Sequence, residues 1–367
     1  MKRVVSRVEL AERIADDWNS LNLDYVVAHG LEPYPQALGR DLDVVVPSES
    51  SAVQAARAAV RCVASAGWRS LLVRKSPWGL YQVVAVRLDC GTVTTLPIDL
   101  LYGDQLWTHL PVQAFTTRQI LALPRKRTGP FVVSPDATFI KAIVRPLLIG
   151  DVDRFQEPRR LQEWPQQASA SQQALLASLF GDRLGSRYVE DLNAGPEAFR
   201  QSWSSYRKAL IKYELASHPL RSVQVLLGRA NVLARRYLFQ SGLRFGISGP
   251  HRLVAAAGRG AANNLESGFF TVKLVDLTST GSAGGIAQRL RRSLRALIGP
   301  WSVDRMLPVS EFTAVFYLQD ETGQKPVNGI TKIVLPNSGL DSAIFELTVR
   351  VLEVFEQRFA PDHLGLT

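Results

Sequence analysis

Cysteine and methionine are scarce in this chain, two of each among 367 residues. Two thiols, Cys62 and Cys90, cannot build a disulfide framework, and their spacing excludes a CxxC metal site. Both lie among apolar neighbours and read as small core residues, so a reducing cytoplasm is the expected location. Long apolar runs are missing too. No uncharged stretch approaches the ~18 residues that a bilayer span requires, and no membrane span is expected. The first residues (Lys2, Arg3, Arg7, Glu9, Glu12, Arg13) are too charged for the apolar core of a signal peptide. Low-complexity tracts and internal repeats at a solenoid period are also absent.

Acidic residues are in deficit. Against 43 Lys and Arg stand 33 Asp and Glu, a formal net charge of +10. The excess favours anionic partners such as nucleotides, nucleic acid, sugar phosphates or acidic lipid, without choosing among them. The basic residues are dispersed and lack aromatic RNA-binding motifs, which argues against a sequence-specific nucleic-acid reader.

The length suits two cores joined by a spacer. Residues 7–20 have helical periodicity, and strands are expected over 23–30 and 41–46, separated by a loop with Pro33, Pro35 and Gly39. A helix follows from Ser48 to Gly67. Segments 80–88 and 92–101 then read as a hairpin. Helical pattern dominates from 134 to about 240, at 170–183, 196–214 and 219–241. After 242 strands and helices alternate, the signature of a parallel α/β unit. The expected fold class is α/β. Its parts are an α+β unit with a mixed sheet (1–145), a helical connector (146–241) and a C-terminal α/β unit (242–367).

Along a strand, side chains at i and i+2 share a face, so Asp41 and Asp43 project together while Leu42 and Val44 point the other way. Paired carboxylates repel unless a cation compensates, and hard oxygen donors suit Mg²⁺ or Mn²⁺. Asp99, flanked by Ile98 and Leu100, offers a third carboxylate from a neighbouring strand. A structural alternative stands beside this reading: Asp41 caps the turn after Gly39-Arg40, and Asp43 pairs with an Arg. Asp89 competes with Asp99, but its Asp-Cys-Gly setting is that of a hairpin turn. Gly30 allows a phosphate to approach the backbone, where loop N–H groups can cradle it. Arg40, Arg74 and Lys75 are the nearest basic residues for nucleotide phosphates. His29 is a further candidate, read alternatively as a loop or core histidine. Trp78 and Tyr81 read as core, with base stacking as the alternative.

The stretch YVVAHG…GRDLDVVV…TLPIDLL resembles the nucleotidyltransferase superfamily with the DNA polymerase β-like fold, over roughly residues 20–145. The shared pattern is an apolar strand ending in Gly, about ten residues, acid-apolar-acid, then a lone acid between apolar residues. The resemblance implies that Asp41, Asp43 and Asp99 are the metal ligands, Asp99 also taking the acceptor proton, and that Gly30 belongs to the triphosphate-gripping loop. The chain departs from the pattern at Leu31, where a second small residue is expected, and at His29.

In the last third, FGISGPHRLVAAAGRG has the strand-glycine-helix context of a P-loop. Gly249 takes the first glycine position, while Val254, Ala255 and Ala256 stand where a second Gly, the Lys and the Ser/Thr belong. The Lys charge and the hydroxyl that bind phosphate and Mg²⁺ are missing. Together with TAVFYLQDE and the strand-helix ending, this region resembles thymidylate-kinase-like proteins. The likeness implies a degenerate, non-catalytic kinase-like domain that serves as scaffold, acceptor-binding surface or homo-oligomer interface, with Arg252 and Arg259 as residual anion contacts.

The expected function is metal-dependent transfer of an NMP from an NTP to an acceptor, with pyrophosphate release. The acceptor is a small molecule, a glycan precursor, an RNA end or a protein. The alternatives are a non-catalytic nucleotide-binding scaffold and a toxin-type nucleotidyltransferase acting on tRNA or protein.

Overall fold

Helix α1 (Arg7–Ser20) begins at a capping box: Ser6 accepts from the Glu9 N–H, and the Glu9 carboxylate accepts from the Ser6 N–H at 2.8 Å. Its inward stripe is Leu10, Ala11, Ile14, Ala15 and Trp18. Trp18 is sealed in the core, where its indole N–H donates to the Ala55 carbonyl at 3.0 Å. Ala55 belongs to α2 (Glu49–Ser65), whose buried face is almost all alanine and so lets the helix lie close on the sheet. The computed structural model describes residues 5–76, 79–89, 92–102, 116–141, 169–217, 243–267, 271–276, 313–319, 331–335 and 339–359, with isolated positions between 219 and 227.

The first sheet has seven strands in the order β3-β4-β5-β2-β1-β7-β6. These are β1 (Val26–His29), β2 (Leu42–Val45), β3 (Arg69–Ser76), β4 (Leu80–Asp89), β5 (Thr92–Leu101), β6 (Lys126–Thr128) and β7 (Phe131–Val133). Strands β4 and β5 are the expected hairpin, and β5 runs parallel to β2. Two pieces lie beyond the sequence expectation. β3 extends the sheet through RSLLVRKS, whose Arg, Lys and Ser break the alternation that marks a strand. β6 and β7 are three residues each, too short for periodicity to show.

Both faces of this sheet are covered. On one, Leu42, Val44, Val83, Ala85, Leu96, Ile98 and Leu100 pack with α1 and α2. On the other, two separate clusters meet the sheet. Val26, Ala28 and Val45 join α3 (Thr117–Leu121), α4 (Pro135–Phe139), α5 (Ala170–Phe180), α6 (Asp182–Ala194) and α7 (Pro196–Ser217). The hub there is an aromatic set: Tyr188 lies 4.8 Å from Phe199 and 4.9 Å from Tyr206 between ring centroids. α6 was not anticipated in the sequence. The expected helix over 219–241 lies largely outside the described residues.

The C-terminal unit is a parallel sheet in the order β11-β8-β10-β9. Its strands are β8 (Leu243–Ser248), β9 (Thr271–Asp276), β10 (Thr313–Gln319) and β11 (Thr331–Val334). α8 (His251–Ser267) and α9 (Leu340–Phe359) pack on each other beside it. Phe245, Phe316 and Phe355 form its centre, and the same cluster takes in Val84, Val86 and Val93 of the first sheet. The last unit is therefore seated on β4 and β5, with an exposed Arg69–Glu356 ion pair at 3.3 Å on the rim that adds little. Among the described residues, no helix is long and apolar enough to cross a membrane.

Phe355→Ala would empty a fully buried site and is expected to lower stability by about 3–5 kcal/mol. Chemical denaturation measures this, and a loss below about 1 kcal/mol would show that this cluster is not close-packed.

Candidate metal centre

The sheet register brings distant residues into one transverse row. Arg74 is paired with Gln82, Gln82 with Asp99, Asp99 with Asp43, and Asp43 with His29, across five strands. Directly opposed residues share a face of a sheet. Apolar packing flanks the row on both sides. Val84 and Val93, on the same face by strand alternation, belong to the C-terminal cluster, and Val45 belongs to the helical cluster. The polar residues therefore lie between two apolar packings.

Asp41, one residue before β2, joins the row. Carboxylate oxygens of Asp41, Asp43 and Asp99 all lie within 4.8 Å of one another, Asp43 fully buried and the others half-buried. Three hard oxygen donors at this spacing fit a divalent cation such as Mg²⁺ or Mn²⁺. Two side chains hold the acids. Gln82, buried in β4, donates its amide N–H to Asp99 Oδ1 at 2.5 Å. Lys141, in the turn that continues α4, donates its ammonium to Asp43 Oδ2, with only 7% and 3% of the two side chains exposed. The cation beside Asp43 is thus a lysine rather than the arginine of the structural alternative.

Neither partner was identified from the sequence. Gln82 carried a signal, since a lone amide in QVVAV has to find a hydrogen bond once buried. Lys141 carried almost none, because FIKAIV reads as a helix with one solvated lysine.

Asp41 is positioned by the loop from Gly30. The Gly39 N–H donates to the Gly30 carbonyl at 2.8 Å and closes the loop on itself. Arg7 of α1 donates to the Arg40 carbonyl at 2.6 Å and to the Leu38 carbonyl at 3.3 Å. Burial lowers the Arg7 pKa and the charge of Asp41 opposes that shift. Gly30 has φ of +99°, and a Cβ there would fall 2.1 Å from the Asp41 carbonyl oxygen. Its absence of a side chain serves the close approach of its own chain. Leu31, the departure from the family pattern, packs against the first core.

The Gly30 N–H is already occupied. Glu32 receives it at 3.0 and 3.2 Å through its two carboxylate oxygens and lies 2.5 Å from His29 Nδ1. Burial raises the Glu32 pKa, but hydrogen bonds from His29, Gly30 and its own N–H outweigh this and hold the carboxyl below its ordinary value. His29 and Glu32 line a cleft of about 280 Å³ with Leu31, Lys126, Thr128 and Thr138.

The other expected phosphate contacts are more scattered. Arg40 is exposed on the loop. Arg74 and Lys75 are placed in β3 opposite Gln82 and Tyr81, but their side chains lie outside the described set. Tyr81 is core, its ring 5.7 Å from Tyr102, and Trp78 lies outside the described residues. In the C-terminal unit, Val254 is buried and one methyl lies 3.4 Å from where a Gly249 Cβ would be. The Walker-like turn is filled by apolar packing. Arg259 is exposed, and the Arg252 side chain is outside the described set.

Compared with family models, with curated proteins and with solved structures, the chain matches none of them.

Gly30→Ala is expected to cost about 1–3 kcal/mol from backbone strain alone and to displace Asp41; denaturation together with Mn²⁺ titration tests both effects. Because the Glu32 pKa is depressed, its carboxylate contributes stability above the ordinary value of 4.5, and that contribution fades as pH falls through the folded value. Glu32→Gln should therefore lose about 1–2 kcal/mol at neutral pH, with the gap to the unmodified protein closing in acid. A gap independent of pH would refute this assignment.

Proposed function

We propose that this protein is a metal-dependent nucleotidyltransferase that moves an NMP from an NTP to an acceptor hydroxyl or phosphate and releases pyrophosphate. The observation that carries the reading is the convergence of Asp41, Asp43 and Asp99 within 4.8 Å on a sheet face flanked by two apolar packings. In this reading the seven-stranded unit is the nucleotidyltransferase domain of the DNA polymerase β-like kind. The four-stranded parallel unit is a kinase-like domain whose phosphate loop has been replaced by packing around Val254.

An Mg²⁺ or Mn²⁺ bound by the three carboxylates neutralises phosphate charge and lowers the pKa of the attacking hydroxyl. The chain's own residues do the rest. Asp41 and Asp43, with Asp99, are the residues that would hold the cation, and the charge it would supply there would answer that of the donor's triphosphate. Asp99 accepts the proton as the acceptor oxygen bonds to the α-phosphorus and the α–β bridging P–O bond breaks, with pyrophosphate leaving. Gln82 fixes one oxygen of Asp99 and so aims the other. The cleft beside His29, one strand from Asp43, offers space for a substrate group.

One observation favours a second reading, a nucleotide-binding scaffold without turnover. Glu32 holds negative charge on the Gly30 N–H, where a triphosphate-gripping loop should offer a bare donor.

Asp41→Asn and Asp43→Asn are the informative variants, because alanine at 43 would strand the buried Lys141 ammonium. Incubation with each radiolabelled NTP, Mg²⁺ and cell extract should give a labelled product that both variants lose. Asp99→Asn should lower the rate about 10²–10⁴-fold, the span of general-base catalysis. Full transfer by either of the first two variants would remove the assignment. Tight NTP binding by calorimetry without any labelled product would establish the scaffold instead.

A further inference from the structure

We propose that Lys141 takes the place of one of two divalent cations, so that the centre is built for a single metal ion. The inference rests on the metal-dependent reading above. Lys141 arrives from outside the sheet, 98 residues beyond Asp43, on a turn of helix packed against β1, and its ammonium lies on Asp43 Oδ2. Both side chains are more than nine-tenths buried, so their charges are poorly screened by solvent.

The charge balance then limits what the cluster accepts. Three carboxylates bring three negative charges, and one ammonium leaves two, which a single divalent ion cancels. A second divalent ion would leave the buried site with two surplus positive charges and would compete with the ammonium for Asp43 Oδ2. A second ion beside the first would need carboxylate oxygens of its own, and here Asp43 Oδ2 is taken by a group of the chain itself. Lysine suits the role because its charge is compact, a point cation rather than a flat fork.

Among the described residues, the other neighbours of the three acids are these. Gln82 is neutral. Arg7 donates to the Leu38 and Arg40 carbonyls, and its charge acts on Asp41 through space, which disfavours a second divalent ion further. His29 and Glu32 face each other.

The test is the Mn²⁺ stoichiometry of the full chain, read by electron paramagnetic resonance of unbound Mn²⁺ and by calorimetry, without nucleotide. The unmodified protein should bind one Mn²⁺, and Lys141→Met should bind two. Lys141→Gln is the second variant, with circular dichroism confirming the fold of each. If neither variant folds, the unmodified protein decides: one ion supports the proposal and two overturn it. One ion in both the unmodified protein and a folded variant also overturns it, while leaving the metal-dependent reading in place. No Mn²⁺ bound to the unmodified protein would overturn both.

Discussion

Burying a carboxylate at the middle of a sheet is costly unless its charge is answered, and that constraint organises this molecule. Asp43 is answered by Lys141, Asp99 receives the amide of Gln82, and Asp41 stands at the end of a loop that Arg7 ties to α1. Each answer comes from a different element. Removing the Lys141 ammonium would leave the buried Asp43 carboxylate without its countercharge, a penalty larger than a single hydrogen bond contributes when made. The site is therefore also a junction, where α1, the sheet and the helical unit are joined by polar contacts as well as by apolar packing.

The two apolar packings on that face complete the arrangement. The helical cluster covers Val45 and the C-terminal cluster covers Val84 and Val93. Neither contributes an acid, yet both lower the local dielectric, which strengthens every charge interaction in the row between them. This gives the C-terminal unit a physical task independent of phosphate binding. Its Walker-like turn has no lysine, and Val254 fills the space, but its aromatic centre holds β4 and β5 in place.

Much of the local structure was legible in the residues. The helical periodicity of 7–20, the Ser48 cap and Gly67 stop around α2, and the strand runs 80–88 and 92–101 each carry their own periodicity or hydrogen-bond chemistry. What escaped were elements whose formation depends on a partner. β3 is polar at several positions and exists because β4 offers an edge. β6 and β7 are too short to show a period. α6 follows α5 with only Gly181 between them, and the helical stretch read over 170–183 stops just inside it, leaving 184–194 unassigned.

For the candidate site, the sequence by itself determined that Asp43 projects from the face opposite Leu42 and Val44, because strand geometry alternates side chains wherever the strand lies, whereas Asp41, one residue before β2, is brought beside it by the loop. The sequence also determined that Asp99 sits in an apolar strand and that Gly30 allows a close approach. Tertiary structure decided the rest. The parallel pairing of β2 with β5 set Asp99 opposite Asp43, and no local rule specifies which strands pair. The folded loop gave the Gly30 N–H to Glu32 rather than leaving it open. Lys141 met Asp43 across 98 residues, because a charge drawn into a core takes its partner from whatever element the packing brings beside it.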